Sequence, residues 1–470
     1  MGDIHLLLDT RGIQEYIFRA PKLKTVIGAS AIIKHLNDVV IKEAVENITG
    51  SKENITYSGG GNAEIRCSSQ DEAEKIADYV QEYCSQKGII LVSGYGSDYD
   101  SARKVLNAKK RVIPSGVRKS LTPFDKPCNL CLSEPGFELL KEDDASRYIC
   151  RTCSAKISFP YVKEIWYKDF GEISDRFVSD FEKSGIESSR MAVVAMDGNR
   201  IGSLFAKSEN KPEFSRKLDK ITRGAVTETF SEYFRNQKSG TIFFRPLLLG
   251  GDDFIAIIDP DKVVDLVIDV CHEFQSKSHA EPEIFSNTEL TISAGIAFVH
   301  TKYPLWRAIT LAEDLLENAK KACPTGNISM IDFEVITESG IQNIGNIVNN
   351  HRRFTEKGNR FTLSDRPYEV SDLKSLINDA RDLKELLARN QIRSFTDILT
   401  TGLLDSNYLF SRLLLKHDNK DGNLKKLLLR GSDVWDKNLE TDDYHNNVLD
   451  LVVLSEMLKK TDGGNAHAES

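Results

Sequence analysis

Apolar and polar positions follow strand and helix periods in two separate blocks of the chain, and both blocks predict the same succession of elements. In the first, Asp3 to Asp9 (DIHLLLD) reads as a strand, and RGIQEYIF leads into a long helix over Lys22 to Ile48. Ile55 to Cys67 predicts a hairpin turning through Ser58, Gly59, Gly60, Gly61 and Asn62, followed by a helix over Asp71 to Gln86 and a strand over Ile89 to Val92. In the second block, Met191 to Asp197 (MAVVAMD) is an apolar strand. A helix over Glu213 to Arg235 follows, with Phe214, Leu218, Ile221, Ala225 and Phe230 near one face. A hairpin at Leu247 to Ile258 (LLLGGDDFIAII), a helix over Asp261 to Ser276 and a strand over Leu290 to Phe298 complete it. Strand, helix, paired strands, helix, strand is the split βαββαβ order of a ferredoxin-like unit. From about Glu338 the pattern turns helical. Leu373, Leu376, Ile377, Ala380, Leu383 and Leu387 form one stripe, continued in style by Leu409 to Leu415 and Val448 to Leu458, which predicts a small bundle ending in a disordered tail from Asp462 to Ser470.

Two further details suggest duplication. Asp9 and Ile13 are spaced like Asp197 and Ile201, and each block runs on into an identical NAKK, at Asn107 to Lys110 and Asn318 to Lys321. The copies differ at the hairpin. The second has Gly250, Gly251, Asp252 and Asp253 where the first has GGGN. Glycine and aspartate also make ordinary solvated turns. Here nothing polar separates the aspartates from Phe254 to Ile258, and unpaired charge at a buried strand edge is costly. With the two strands neighbours in one sheet, Asp197 faces Asp252 and Asp253. Three hard carboxylates suit two Mg2+ or Mn2+ ions, which clamp the attacking and leaving oxygens of nucleotidyl transfer. Only the second unit is then expected to be catalytic.

Between the units, CNLC and CRTC are separated by eighteen residues, so Cys128, Cys131, Cys150 and Cys153 predict a closed structural Zn2+ site. The other four cysteines, Cys67, Cys84, Cys271 and Cys323, stand singly and read as reduced thiols. Arg103 to Lys119 holds seven basic residues and no acidic one, either a solvated face or a contact for RNA or triphosphate. Net charge is -8, so wholesale nucleic-acid binding by bulk charge is not indicated. Neither a membrane-spanning apolar run nor a signal-peptide pattern is present, which predicts a cytoplasmic protein without membrane contact.

Taken together, DTRGIQEYIF with VIGAS, YSGGGN, the four-cysteine knuckle, MAVVAMDGNRIGSLF, LLLGGDDF, and TISAGIAFVHTKYPL leading to AEDLLENAKK resemble the large polymerase/cyclase subunit of type III CRISPR effector complexes. The likeness runs over nearly the whole chain. GGDD alone would also fit GGDEF-type diguanylate cyclases, against which the doubled unit and the knuckle argue. The resemblance implies a synthase that joins ATP into cyclic oligoadenylate messengers in prokaryotic antiviral defence. It further implies Asp197 and Asp253 as metal ligands, with Asp252 a ligand or an aid to activating the 3'-hydroxyl, and Gly198 offering a carbonyl to metal. Amides from Asn199 to Gly202, with Ser203, would take the triphosphate beside Gly250 and Gly251, and Lys320 would reach phosphates. Gly60, Gly61, Asn62 and Ser30 would shape the acceptor ATP site. Guide and target RNA and small helical subunits are the implied partners. His5 and His35 form no HD pair, so no HD-type DNase activity is expected.

The expected architecture is α+β: two ferredoxin-like palm domains at residues 1–120 and 189–337, a zinc knuckle at 121–188 between them, and a helical C-terminal domain at 338–470. A non-catalytic scaffold, a stand-alone cyclic nucleotide synthase and a templated polymerase remain alternatives, and base choice and ring size are not encoded legibly.

Overall fold

The computed structural model describes residues 4–458, apart from 21, 113–120, 143–144, 182–187, 209, 236–239, 283, 286–288, 337–344, 346, 348–351, 357, 418–422, 430–433 and 438–442. The N-terminal part runs β1 (Ile4–Arg11), α1 (Ile13–Phe18), α2 (Leu23–His35), α3 (Ile41–Thr49), β2 (Ile55–Gly59), β3 (Asn62–Cys67), α4 (Gln70–Lys87), β4 (Ile90–Gly96) and α5 (Tyr99–Arg111). A single π turn over Leu36–Val40 joins α2 to α3, so the expected long helix is continuous with one irregular turn inside it. The sheet order is β2-β3-β1-β4 with every pair antiparallel. β1 is apolar at successive positions because both its faces are covered. Leu6 and Leu8 enter the main core, while Leu7 packs with Val92, Ala102 and Leu106 under α5.

Next come β5 (Glu138–Glu142), β6 (Ala145–Ile149), α6 (Arg151–Ile157) and α7 (Glu164–Phe170), the segment that carries the four cysteines. Then follow β7 (Arg190–Gly198), α8 (Ile201–Lys207), α9 (Lys211–Arg235), β8 (Phe244–Gly250), β9 (Asp253–Ile258), α10 (Val263–His279), β10 (Ile292–His300), α11 (Leu305–Ala322) and β11 (Met330–Val335). Here β8-β9-β7-β10 repeats the order β2-β3-β1-β4, and β11 extends the sheet parallel to β10. The repeat extends to side-chain detail. Gly94 on β4 and Gly295 on β10 each lie where a Cβ would come within 2.5 and 2.0 Å of backbone in the following helix, so both strands need glycine to let α5 and α11 seat.

The remainder comprises β12 (Arg353–Glu356), β13 (Asn359–Thr362), β14 (Tyr368–Glu369), α12 (Val370–Leu386), α13 (Arg389–Leu399), α14 (Leu403–His417), α15 (Asn423–Leu428), β15 (Asp436–Lys437), β16 (Tyr444–His445) and α16 (Val448–Met457). The expected stripe from Leu373 to Leu387 is buried. The expectation of a purely helical end needs correction, because β12-β13-β16-β15 form a small sheet and β14 joins the edge at β11. Strands of two to four residues are too short to leave a period. Stacking of Phe361 on Phe354 and Tyr444, with Trp435 edge-on, holds them instead. Buried ion pairs from Arg352 to Asp332 and Glu334, and from Arg366 to Glu334 and Asp450, fasten this part to β11. Among the described residues no helix is long and apolar enough to cross a membrane. The tail from Asp462 and the end of the basic run at 113–119 lie outside the described residues.

Candidate active site at the glycine and aspartate hairpin

β7 and β9 are adjacent and antiparallel, with Met196 opposite Phe254, so the end of β7 delivers Asp197 beside the turn between β8 and β9. Gly251, at φ 67°, makes that turn and presents Asp252, while Asp253 opens β9. A Cβ on Gly198 would sit 3.1 Å from the Cβ of Asp252, which shows how closely the strand end and the turn approach. Desolvation at the turn, followed by the Asp197 charge, pushes the carboxyl of half-buried Asp252 up to about 8 and that of Asp253, whose residue stands exposed, up to about 7. Three carboxylates that disfavour one another's charge call for a cation.

Part of that demand is met by the protein itself. Lys320, from the last turn of α11, donates to Asp197 Oδ2 and, at 2.9 Å, to the Gly198 carbonyl. An ammonium group therefore rests on a carboxylate and a carbonyl, two hard oxygens of the kind a divalent ion takes, so the donor set fits Mg2+ or Mn2+. Among the described residues only the four cysteines bring three or more ligand atoms within 4.8 Å of one another. The expected convergence of three carboxylates is therefore met only in pairs: Asp197 interacts with Asp252 and with Asp253, and the trio lines an edge without closing on one point.

Several supporting residues were not visible in the sequence. Asp219 on α9 accepts the Gly251 amide at 2.9 Å and the Arg223 Nε at 2.8 Å. Arg223 reaches on to Asp169 of α7 at 3.3 Å, and Lys34 of α2 pairs with the same carboxylate at 2.7 Å. Although burial works against its charge, Asp219 and Asp169 hold Arg223 firmly protonated. Tyr57 of β2 lies against this hairpin, its hydroxyl 3.7 Å from where a Cβ on Gly251 would stand. Burial, with Asp219 and Asp252 close by, pushes its phenol up. Glu313 on α11 accepts Gln14 Nε2 of α1 at 2.6 Å, and burial, then Asp314, pushes it up to about 7. Polar positions on amphipathic helices give no sequence signal distinguishing such roles from solvation; Tyr57 in YSGGGN, Gln14 in DTRGIQEYIF and Glu313 in AEDLLENAKK lie inside quoted motifs without standing out there.

The other expected site residues fall into three places. Gly60 and Gly61, at φ 56° and 77°, turn the first hairpin directly onto the second, and a Cβ on Gly250 would be 3.1 Å from the Gly60 amide. Asn62 is exposed opposite Asp9. Ser30 is buried and donates to the Leu247 carbonyl, and the enclosed space beside it, shared with Lys34, Gly60 and Trp166, is about 20 Å³. That holds a water molecule, not a nucleoside. Asn199 is also buried. Its amide donates to the Thr291 carbonyl at 2.9 Å and its side chain to Thr291 Oγ1 at 2.8 Å, so it braces the strand end. Ser203 turns its amide and hydroxyl to the Arg200 carbonyl at 3.0 and 2.8 Å. Gly202 faces open space. In the first copy Lys110 pairs with Asp9 at 2.5 Å, as Lys320 does with Asp197. Matching the NAKK repeats would have chosen Lys109, so the structural equivalence is one residue out of step with the sequence identity.

At the knuckle all four cysteines are buried, with Cys131 and Cys150 sulfurs 3.8 Å apart. Zinc at about 2.3 Å from each of four tetrahedral sulfurs requires a separation of about 3.8 Å, so the donors fit that ion. The Leu130 and Cys153 amides each point at a sulfur, Cys128 and Cys150, at 3.4 Å, which stabilises thiolate charge.

Residues 190–328 match the family model for the Cas10/Cmr2 second palm domain, and residues 5–95 match that for Csm1 subunit domain B. The CRISPR system Cmr subunit Cmr2 of Pyrococcus furiosus is 26% identical over 181 residues, covering 34% of this chain and 20% of its own length. The single-strand-specific deoxyribonuclease Cas10/Csm1 of subtype III-A from Mycobacterium tuberculosis is 20% identical over 445 residues, covering 69% of this chain and 54% of its own. The chain therefore spans well under two thirds of either relative. Among solved structures, Csm1 of T. onnurineus superposes with a TM-score of 0.60 at 15% identity, over 97% of this chain and 70% of that one. A Csm1-Csm4 cassette in complex with cA4 does so at 0.57 and 16%, with the same two coverages. One family domain matches each of the two similar sheets, and these matches together with the two relatives support a Cas10-type subunit of a type III CRISPR system.

Proposed function

We propose that the chain is a divalent-metal-dependent nucleotidyl cyclase that joins ATP into cyclic oligoadenylates, working as two ferredoxin-like palms of which the second is catalytic. The observation that carries this reading is the cation-demanding edge made by Asp197, Asp252 and Asp253, with Lys320 resting on its oxygens. Bound there, Mg2+ or Mn2+ would polarise the α-phosphate and lower the pKa of a 3'-hydroxyl. Asp197, Asp253 and the Gly198 carbonyl would hold the ions, and Asp252 would orient the hydroxyl or complete the set. Lys320, released from Asp197, would swing toward the triphosphate, with the open face at Gly202 leaving room for it. The first palm, through Gly60, Gly61 and Tyr57, would back the acceptor nucleotide. Because the enclosed space at the hairpin junction is about 20 Å³, ATP would lie along the open carboxylate edge or enter as the palms part.

Crystal structures of Csm1-Csm4 cassettes with ATP and with cA4 support both the substrate class and a Csm4-like partner. Guide and target RNA, helical partner subunits, a structural Zn2+ and a cytoplasmic setting complete the proposal. Incubation with ATP and Mg2+ or Mn2+, with and without target RNA and partner subunits, followed by mass spectrometry, tests it. Oligoadenylates that disappear in Asp252→Ala/Asp253→Ala are expected. Absence of product under every condition would leave the chain a scaffold, the reading favoured by the closed junction.

A further inference from the structure

The sheet that carries the aspartate hairpin has a second end. β7 begins at Arg190 and β9 finishes at Ile258, each at the opposite end of its strand from Asp197 and Asp253. At a rise of about 3.4 Å per residue, the seven steps from Arg190 to Asp197 set those ends about 24 Å apart. There the sheet meets the start of α13 and the last turn of α16, and the meeting leaves a hollow of about 640 Å³, within the usual range for small-molecule sites. Its lining includes the buried side chains of Phe234, Phe243, Leu266 and Met457. Lys262 pairs with Asp261 at 3.1 Å, and Arg389 and Arg393 both pair with Glu456. Arg190 differs. Among the described residues its guanidinium meets no carboxylate: Nη1 reaches the Met457 sulfur at 3.4 Å, and a thioether is a weak acceptor. Half-burial works against its charge, Glu456 opposes that effect, and Arg389 and Arg393 add to it.

We propose that this hollow binds a small organic monoanion, a carboxylate on an aromatic or aliphatic body, with Arg190 as its anchor. The apolar lining takes the body out of water, and the planar guanidinium takes the carboxylate through two parallel hydrogen bonds. A dianion such as a phosphomonoester would bring a second negative charge toward Asp259, Asp261 and Glu456, which line the same hollow, and one unanswered cation does not offset it. A neutral ligand would cover the guanidinium and leave it without a carboxylate, which is costly. The two ends of the sheet are far enough apart for both to be occupied together. This inference is independent of the aspartate site and stands whether or not that site forms oligoadenylates.

The test uses the full chain with 1-naphthylacetate and its neutral counterpart 1-naphthylacetamide, read by ligand-observed NMR titration. The carboxylate is expected to bind with a Kd near about 1 mM, the affinity open to an unoptimised ligand of that size. It should bind at least about tenfold more tightly than the amide, the return on a hydrogen bond to a charged group. Arg190→Met should erase that preference while binding the amide about as the wild type does. A wild-type crystal soaked in the probe, a measurement that needs no variant, should show the carboxylate on Arg190. Absence of binding, equal binding of carboxylate and amide, or a preference unchanged in Arg190→Met would overturn the proposal. So would displacement of the probe by ATP, which would place it at the aspartate edge, or by an equal concentration of inorganic phosphate, which would mark an anion site of another class.

Discussion

Asp219 Oδ1 accepts the Gly251 amide at 2.9 Å, so the turn that presents the two catalytic-candidate aspartates is anchored from α9. The anchor is itself held, because Arg223 joins Asp219 to Asp169 of the knuckle segment. Misplacing a reacting group by about 1 Å costs about 100-fold in rate. Asp219→Ala is therefore expected to lower oligoadenylate kcat by about 100-fold with little change in the KM for ATP. Asp219→Asn keeps an oxygen for Gly251 and should lose about tenfold or less by the same argument. Steady-state kinetics of the two variants check the anchor, and a KM rise matching the kcat loss would contradict it.

Lys320 occupies oxygens that an ion would take, so on the proposed reading it would compete with metal in the absence of nucleotide. Lys320→Met should bind Mn2+ more tightly than the wild type in the absence of nucleotide, by about tenfold if one charge-assisted hydrogen bond is removed. The same variant should turn over ATP more slowly, because the ammonium no longer reaches the phosphates. Titration calorimetry and product assays give the two arms, and their opposite signs distinguish this role from general damage.

Asp252 and Asp253, raised to about 8 and about 7, bind protons in the folded chain that an unfolded aspartate, with its ordinary value near 3.8, has released. Where the folded state holds more protons, stability falls as pH rises. Without divalent ions the thermal midpoint should therefore drop between about pH 4 and pH 8. The drop should be shallower in Asp252→Asn, and Mn2+ should oppose it by favouring the ionised carboxylates. Scanning calorimetry in chelator and in Mn2+ compares these slopes.

The knuckle is keyed to the first sheet unit at Gly28, where a Cβ would fall 1.8 Å from the Lys156 carbonyl oxygen on α6. Lys156 also donates to the Tyr16 carbonyl and lies 3.9 Å over that ring. Gly28→Ala should cost about 1–3 kcal/mol, the usual range for overpacking, in a denaturant melt. Metal analysis should find one zinc per chain, and Cys150→Ser should lose it and melt earlier.

The two strand, helix and hairpin successions could be read from the sequence because apolar runs broken by Gly59 to Asn62 and by Gly250 to Asp253 leave few alternatives. The meeting of Asp197 with the Asp252 and Asp253 turn was legible from the same apolar runs, which place the two strands side by side. Asp219, Arg223 and Glu313 were not, since each is one polar position on an amphipathic helix and acquires its role only when α9 or α11 meets another element. Asn199 and Ser30 adjoin conspicuous motifs, and tertiary packing turns their polar groups to backbone carbonyls and to Thr291, contacts that no motif announces. The small C-terminal sheet escaped because its strands are shorter than any period.

The most direct measurement is anomalous scattering from crystals soaked with Mn2+ and a non-hydrolysable ATP analogue. Peaks between Asp197, the Gly198 carbonyl and Asp253, with Lys320 moved onto phosphate, are the predicted result. Manganese bound elsewhere, with Lys320 still on Asp197 and the analogue absent from the carboxylate edge, would contradict the account.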